Sequence, residues 1–156
     1  MRVSVITISD RASRGDYEDT TGPEIEKEVR GRFPEAEVRR CIVPDEPERI
    51  LTAFSEQEGA DFILTAGGTG ISPRDVTPET TRRFIERELP GISEMIRAQS
   101  WEETPASVLS RGIAGMKGRT IVVNFPGSVR AARTCMRVLA PVMEHALKML
   151  RGGGHE

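Results

Sequence analysis

The chain opens on RVSVITIS (2–9), a short run rich in β-branched residues, as expected of a buried strand. A polar segment, DRASRGDYEDTTG (10–22), follows and predicts a long loop. Thr21 and Glu24 then have capping-box spacing, and Pro23 suits a first helical turn. Ile25, Val29 and Phe33 recur every four residues and predict an amphipathic helix to about residue 33. AEVRRCIV (36–43) reads as a second strand, and Asp45 precedes a helix over about 46–58 with Ile50 and Phe54 inside. DFILTA (61–66) is a third strand that runs straight into TAGGTGISPRDVTPE (65–79), where Thr77 and Pro78 open a helix carrying Phe84 and Ile85.

PGISEMIRAQSW (90–101) places Ile92, Met95, Ile96 and Gln99 at helical spacing, with Trp101 expected in a core or an interface. RTIVVNF (119–125) is a further strand, and PGSV (126–129) turns the chain into a last helix burying Ala132, Cys135, Leu139, Met143 and Leu147. Pro141 predicts a break or kink in it. RGGGHE has no apolar stripe, so residues 1–151 form one expected domain and 152–156 a flexible tail. Strands alternating with helices argue an α/β fold around a largely parallel sheet. Ligands of such sheets bind beyond the carboxyl ends of the strands, where the loops at 10–22, 44–46, 66–77 and 126–129 would gather.

Composition narrows the function. The chain has 156 residues, 37% hydrophobic and 29% charged, and a formal net charge of −2. That suits one soluble domain and disfavours general nucleic-acid binding through counterion release. Cys41 and Cys135 share no metal or redox spacing and are expected as buried free thiols of a reducing compartment. The first apolar run is too short for a signal segment, and no stretch approaches membrane-spanning length, so a cytoplasmic location without membrane contact is expected.

The glycine-rich stretch carries the candidate chemistry. No Gly-Lys-Ser or Gly-Lys-Thr of a Walker loop occurs, and Gly67, Gly68 and Gly70 do not have dinucleotide-fingerprint spacing. What remains is either an ordinary strand-to-helix turn or a phosphate cradle in which backbone amides approach an anion, with Thr69 and Ser72 adding hydroxyls. Asp45, with Glu48 three positions on, can cap its helix, which leaves a ligand role open. Asp75 is not needed as a cap beside Thr77 and Pro78; it would either share Mg²⁺ with phosphate oxygens or pair with Arg74. Ser128 sits where a helix start could hold phosphate or where serine is an ordinary cap. His145 and His155 form no zinc-ligand spacing.

ISDRASRG (8–15), VPDE (43–46), GGTGISPRDVTPE (67–79), LSR (109–111) and NFPGS (124–128) occur in the order seen in the molybdopterin adenylyltransferase family, the Mog/MoaB-like group that includes the G domain of gephyrin. The resemblance spans nearly the whole chain. It implies a three-layer α/β/α fold and Mg²⁺-dependent transfer of AMP from ATP to the terminal phosphate of molybdopterin. Carried over by motif, Asp45 and Asp75 match the family's metal-associated and catalytic aspartates. Gly67, Gly68, Thr69 and Gly70 match its ligand loop, with Ser72 beside it. Ser110, Asn124, Gly127 and Ser128 fall in segments associated with the pterin side. The resemblance also implies a homotrimer, or a hexamer built as a dimer of trimers, and transient contact with a molybdenum-insertion enzyme. Ala66 and Val129 depart from the commoner threonine and proline, whereas Asp75, lost in some MoaB-type relatives, is retained. The competing reading is a non-catalytic molybdopterin- or nucleotide-binding oligomeric module.

Overall fold

A computed structural model describes residues 1–153 of the chain. Six strands form one sheet in the order β2-β1-β3-β6-β5-β4. They are β1 (Arg2–Ile8), β2 (Glu37–Val43), β3 (Phe62–Ala66), β4 (Arg87–Glu88), β5 (Ala114–Lys117) and β6 (Thr120–Phe125). The first four in that order run parallel, and β5 and β4 add an antiparallel edge. Among the described residues the helices are α1 (Asp10–Ser13), α2 (Thr21–Arg32), α3 (Pro47–Glu56), α4 (Thr77–Phe84), α5 (Pro90–Trp101) and α6 (Val129–Leu150). A 3₁₀ helix spans Pro105–Leu109.

Alternation along the strands decides which helix packs where. Val3 and Val5 of β1, with Phe62, Leu64, Ile121 and Val123, face Ile25 and Val29 of α2, Ile96 of α5 and the Ala132–Leu147 stripe of α6. Ile6 and Ile8, with Ile63 and Val122, face Ile50 and Phe54 of α3 and Phe84 of α4. These are the three expected layers, with β1, β3 and β6 buried on both sides and β2 forming the more exposed parallel edge. Asp61, just before β3, accepts a hydrogen bond from the Arg2 amide at 2.7 Å and lies 3.7 Å from the Arg151 guanidinium. The first and last elements therefore meet at the amino ends of the strands. Among the described residues no helix is long and apolar enough to cross a membrane.

Several local expectations are corrected. The polar segment after β1 contains α1, capped by Ser9, whose hydroxyl accepts from the Ala12 amide at 3.1 Å. Thr21 does not cap α2: its hydroxyl donates to the Gly127 carbonyl at 2.8 Å, Glu24 pairs with Arg133, and Asp19 accepts from the Gly22 amide instead. Thr77 is not the cap of α4, because its hydroxyl donates to the Gly67 carbonyl at 2.9 Å. Pro141 does not end α6, which continues to Leu150 with the proline exposed on its outer face. Trp101 is 50% exposed, which removes the core alternative expected for it and leaves the interface one standing. Cys135 is buried, as expected, but Cys41 on β2 is only half-buried. Of the expected tail, residues 154–156, with His155, lie outside the described residues.

Candidate active site

The loops leaving the carboxyl ends of β1, β2, β3 and β6 do converge, and the glycine loop is their point of contact. The Gly67 amide donates to the Phe125 carbonyl at 3.0 Å. Gly67 and Gly68 have φ of +107° and +66°, which favour glycine. A side chain at Gly67 would strike the Ile8 carbonyl oxygen, and one at Gly68 would strike the Thr77 hydroxyl and stand 3.0 Å from Asp45 Oδ1. A Cβ at Gly127 would lie 3.4 Å from Gly67 Cα. Close approach, not slack, is what these glycines supply.

Asp45 and Asp75 sit on either side of this loop, and each is held by one oxygen. Asp45 Oδ2 accepts from the Asp10 amide at 2.9 Å, while Oδ1 lies on the side of Gly68. Asp75 Oδ2 accepts from the Ser72 amide at 2.9 Å. Neither second oxygen has a hydrogen-bond partner among the described residues. Asp45 does not cap α3, whose N-cap is Glu46, and Glu48 turns to Arg83 instead. Arg74 is not the partner of Asp75: its guanidinium grips Asp10 through two hydrogen bonds of 2.9 and 2.8 Å. That contact holds the Asp10 carboxyl below the usual range, whereas burial, with the Asp10 and Asp75 charges adding, pushes Asp45 up.

A cavity of about 490 Å³ opens beside the loop. Gly67, Gly68, Thr69, Gly70 and Asp75 line one side, and Pro126, Gly127, Ser128 and Arg130 bring the start of α6 to another. Ser128 caps α6, accepting from the Ala131 amide at 3.1 Å, so this wall joins a helix N-terminus to a guanidinium. The third wall comes from α5 and the 3₁₀ helix, with Ile96, Arg97, Ser100, Glu103, Ser107 and Ser110. Glu103 is held by the Thr134 hydroxyl and by Arg137, and these contacts lower its carboxyl from the usual value.

The expected site residues divide clearly. Gly67, Gly68, Thr69, Gly70, Asp75, Ser110, Gly127 and Ser128 line the cavity. Asp45 stands next to the loop, and Ser72 lies outside the cavity, where its amide orients Asp75. Asn124 is not at the surface of the site. Its Nδ2 donates to Thr65 and Thr81 at 3.1 and 3.0 Å, and its Oδ1 accepts from the Ile113 amide, so the amide is spent inside the fold. Sequence reasoning missed Asp10 and Arg111 as individuals. Arg111 donates to the carbonyls of Gly70 at 2.7 Å and Asp75 at 2.8 Å, clamping both ends of the loop. Their only sequence signal was membership of the ISDRASRG and LSR segments.

Mg²⁺ suits the donor set formed by Asp45 and Asp75, because that ion is commonly held by one or two carboxylates and completed by substrate phosphates and water. Asp10 has no oxygen left to offer it. Among the described residues no group of three or more His, Cys, Asp or Glu side chains is arranged to hold a metal by itself.

Comparison with known proteins gives the family and the fold. Residues 4–145 match the family described as a probable molybdopterin binding domain. The chain is 38% identical over 157 residues to a molybdopterin adenylyltransferase of Pyrococcus furiosus, covering 96% of this chain and 91% of that one. It is 38% identical over 149 residues to the molybdenum cofactor synthesis protein cinnamon of Drosophila melanogaster, covering 94% of this chain but only 25% of that longer protein. The crystal structure of the molybdopterin biosynthesis enzyme MoaB from Thermus thermophilus superposes with a TM-score of 0.86 at 43% identity, over 97% of this chain and 96% of that one. With the family model covering residues 4–145 and the fold shared with such relatives, the chain belongs to the molybdopterin binding domain family of molybdenum cofactor biosynthesis.

Proposed function

We propose that the chain is a molybdopterin adenylyltransferase, which transfers AMP from ATP to the terminal phosphate of molybdopterin and releases pyrophosphate. One observation carries the reading: Asp45 and Asp75 flank an amide-rich glycine loop, each with one oxygen tied to a backbone amide and one left free. Two neighbouring carboxylates beside an anion-binding loop are unfavourable until a cation joins them. Mg²⁺ bound there would neutralise the charge that develops on the transferred and leaving phosphates.

The chain's own residues supply positioning. The loop amides and the Thr69 hydroxyl offer donors to one phosphate group, and the start of α6 with Ser128 and Arg130 offers a second anion-binding surface across the cavity. The cavity volume falls in the usual range for cofactor-sized ligands. With the two phosphates facing each other, an oxygen of the terminal molybdopterin phosphate attacks the α-phosphorus of ATP. The new P–O bond forms as the bond to the bridging oxygen of pyrophosphate breaks, and that oxygen leaves with the electron pair. The attacking phosphate is already ionised near neutrality, so the step asks for alignment and charge neutralisation rather than a strong base.

Incubation with molybdopterin, ATP and Mg²⁺, followed by chromatography, should yield adenylyl-molybdopterin and one pyrophosphate per turnover. Asp75→Asn keeps an acceptor for the Ser72 amide and should lower turnover by about 10²–10³-fold with little change in Tm. Tight ligand binding without product would identify a non-catalytic binding module instead. A variant that melts far lower while its folded fraction turns over normally would make Asp75 structural.

A further inference from the structure

A third acid stands among these groups, and its bonding differs from that of its neighbours. Both oxygens of Asp10 are occupied: Oδ1 accepts from the Asp45 amide at 3.0 Å and from Arg74 at 2.8 Å, and Oδ2 accepts from Arg74 Nε at 2.9 Å. Asp45 returns the bond, since its Oδ2 accepts from the Asp10 amide at 2.9 Å. The Asp10 amide fixes the Asp45 carboxylate in rotation and leaves Oδ1 on the Gly68 side. The Asp10 carboxylate, through the Asp45 amide and Arg74, fixes the two backbone segments that carry Asp45 and Asp75. Arg74 precedes Asp75 directly, and its two-pronged contact with a carboxylate has a narrow geometry. Asp10 is thus joined to one candidate aspartate by two hydrogen bonds and to the other through one arginine and one peptide link.

We infer that Asp10 is a positioning residue that sets the orientation of Asp45 and its spacing from Asp75, and so the affinity of the pair for a cation–triphosphate ligand. The inference rests on the adenylyl-transfer reading, but it does not require Asp10 to touch substrate. A plain tie between loops would act on folding alone. A positioning residue acts on metal-dependent binding and on rate in protein that is fully folded. Groups that orient metal ligands in this way change affinity or activity by about 10–100-fold when altered.

The test compares the full chain with its Asp10→Asn, Arg74→Gln and Arg74→Lys variants. Calorimetry of ATP binding across a Mg²⁺ series, steady-state kinetics and thermal melts are recorded for each. Asp10→Asn should raise the Mg²⁺ concentration for half-maximal ATP binding by about 10–100-fold and lower kcat, while Tm and ATP binding at saturating Mg²⁺ change little. Arg74→Gln should move the same readouts less, and Arg74→Lys should recover part of the loss by keeping the charge without the fork. A folded Asp10→Asn variant with the parent's Mg²⁺ dependence and kcat overturns the inference. Should that variant fail to fold, Arg74→Gln decides alone, because it leaves the Asp10–Asp45 bonds intact; parental Mg²⁺ dependence there overturns it equally. Absence of product from the parent protein would instead sink the adenylyl-transfer reading, and the Mg²⁺ dependence of ATP binding would still judge Asp10.

Discussion

Asp45 is where stability and activity pull in opposite directions. Burial, followed by the charges of Asp10 and Asp75, raises its carboxyl above the ordinary aspartate value. Its stabilising contribution is therefore full below that ordinary value and is lost as pH rises through the raised one. Without divalent cation, Asp45→Asn should melt no lower than the parent at pH 7, and its advantage should shrink as pH falls towards about 4. Turnover should drop by about 10²–10³-fold in the same variant. Thermal melts between pH 4 and 8, beside the product assay, check both signs; a clearly lower melting point at pH 7 would contradict the charge argument. Asp75 and the glycines of the candidate site were legible in the sequence because a carboxylate surplus to capping, beside Gly-Gly-x-Gly, has few uses. Asp45, readable there as a helix cap, joined them only through the family resemblance. Asp10 and Arg74 were not legible, because their roles depend on partners 35 and 64 residues away that only the sheet brings together.

At the scale of elements, β6 shows how a residue in a functional motif can serve the scaffold. Asn124 ties β6 to Thr65 of β3, to Thr81 of α4 and to the Ile113 amide beside β5. Asn124→Ala leaves those groups short of partners and should cost about 1–3 kcal/mol in urea unfolding, with molybdopterin affinity kept in the folded fraction. Loss of affinity without loss of stability would return Asn124 to the ligand. Strands β1, β3 and β6 and the α2, α3 and α6 helices could be read from periodicity because each buries a regular apolar set. The β4–β5 edge escaped notice, since β4 has two exposed residues and β5 reads AGMK. Cap spacing misled at Thr21 and Thr77 for a different reason. Their hydroxyls found carbonyls on distant loops, a tertiary choice that local spacing does not encode.

For the whole molecule, the two-sided burial of the sheet makes access to the core an all-or-none matter. Cys135 of α6 is fully buried, and burial pushes its thiol up to about 12. A thiol reagent at pH 8 should therefore label it only through unfolding, with a rate that rises with urea in step with global opening. Rapid labelling of Cys135 in native buffer, read in a Cys41→Ser background because Cys41 is half-buried, would show that α6 detaches by itself. The meeting of Arg2 and Arg151 at Asp61 bears on how such a unit can be built into larger proteins. Both ends of the described fold exit at the pole opposite the reactive loops. A tag, tether or second catalytic module spliced before β1 or after α6 would leave the mouth of the cavity clear. Cinnamon, in which the matched segment is a quarter of a longer polypeptide, is an instance of that modularity.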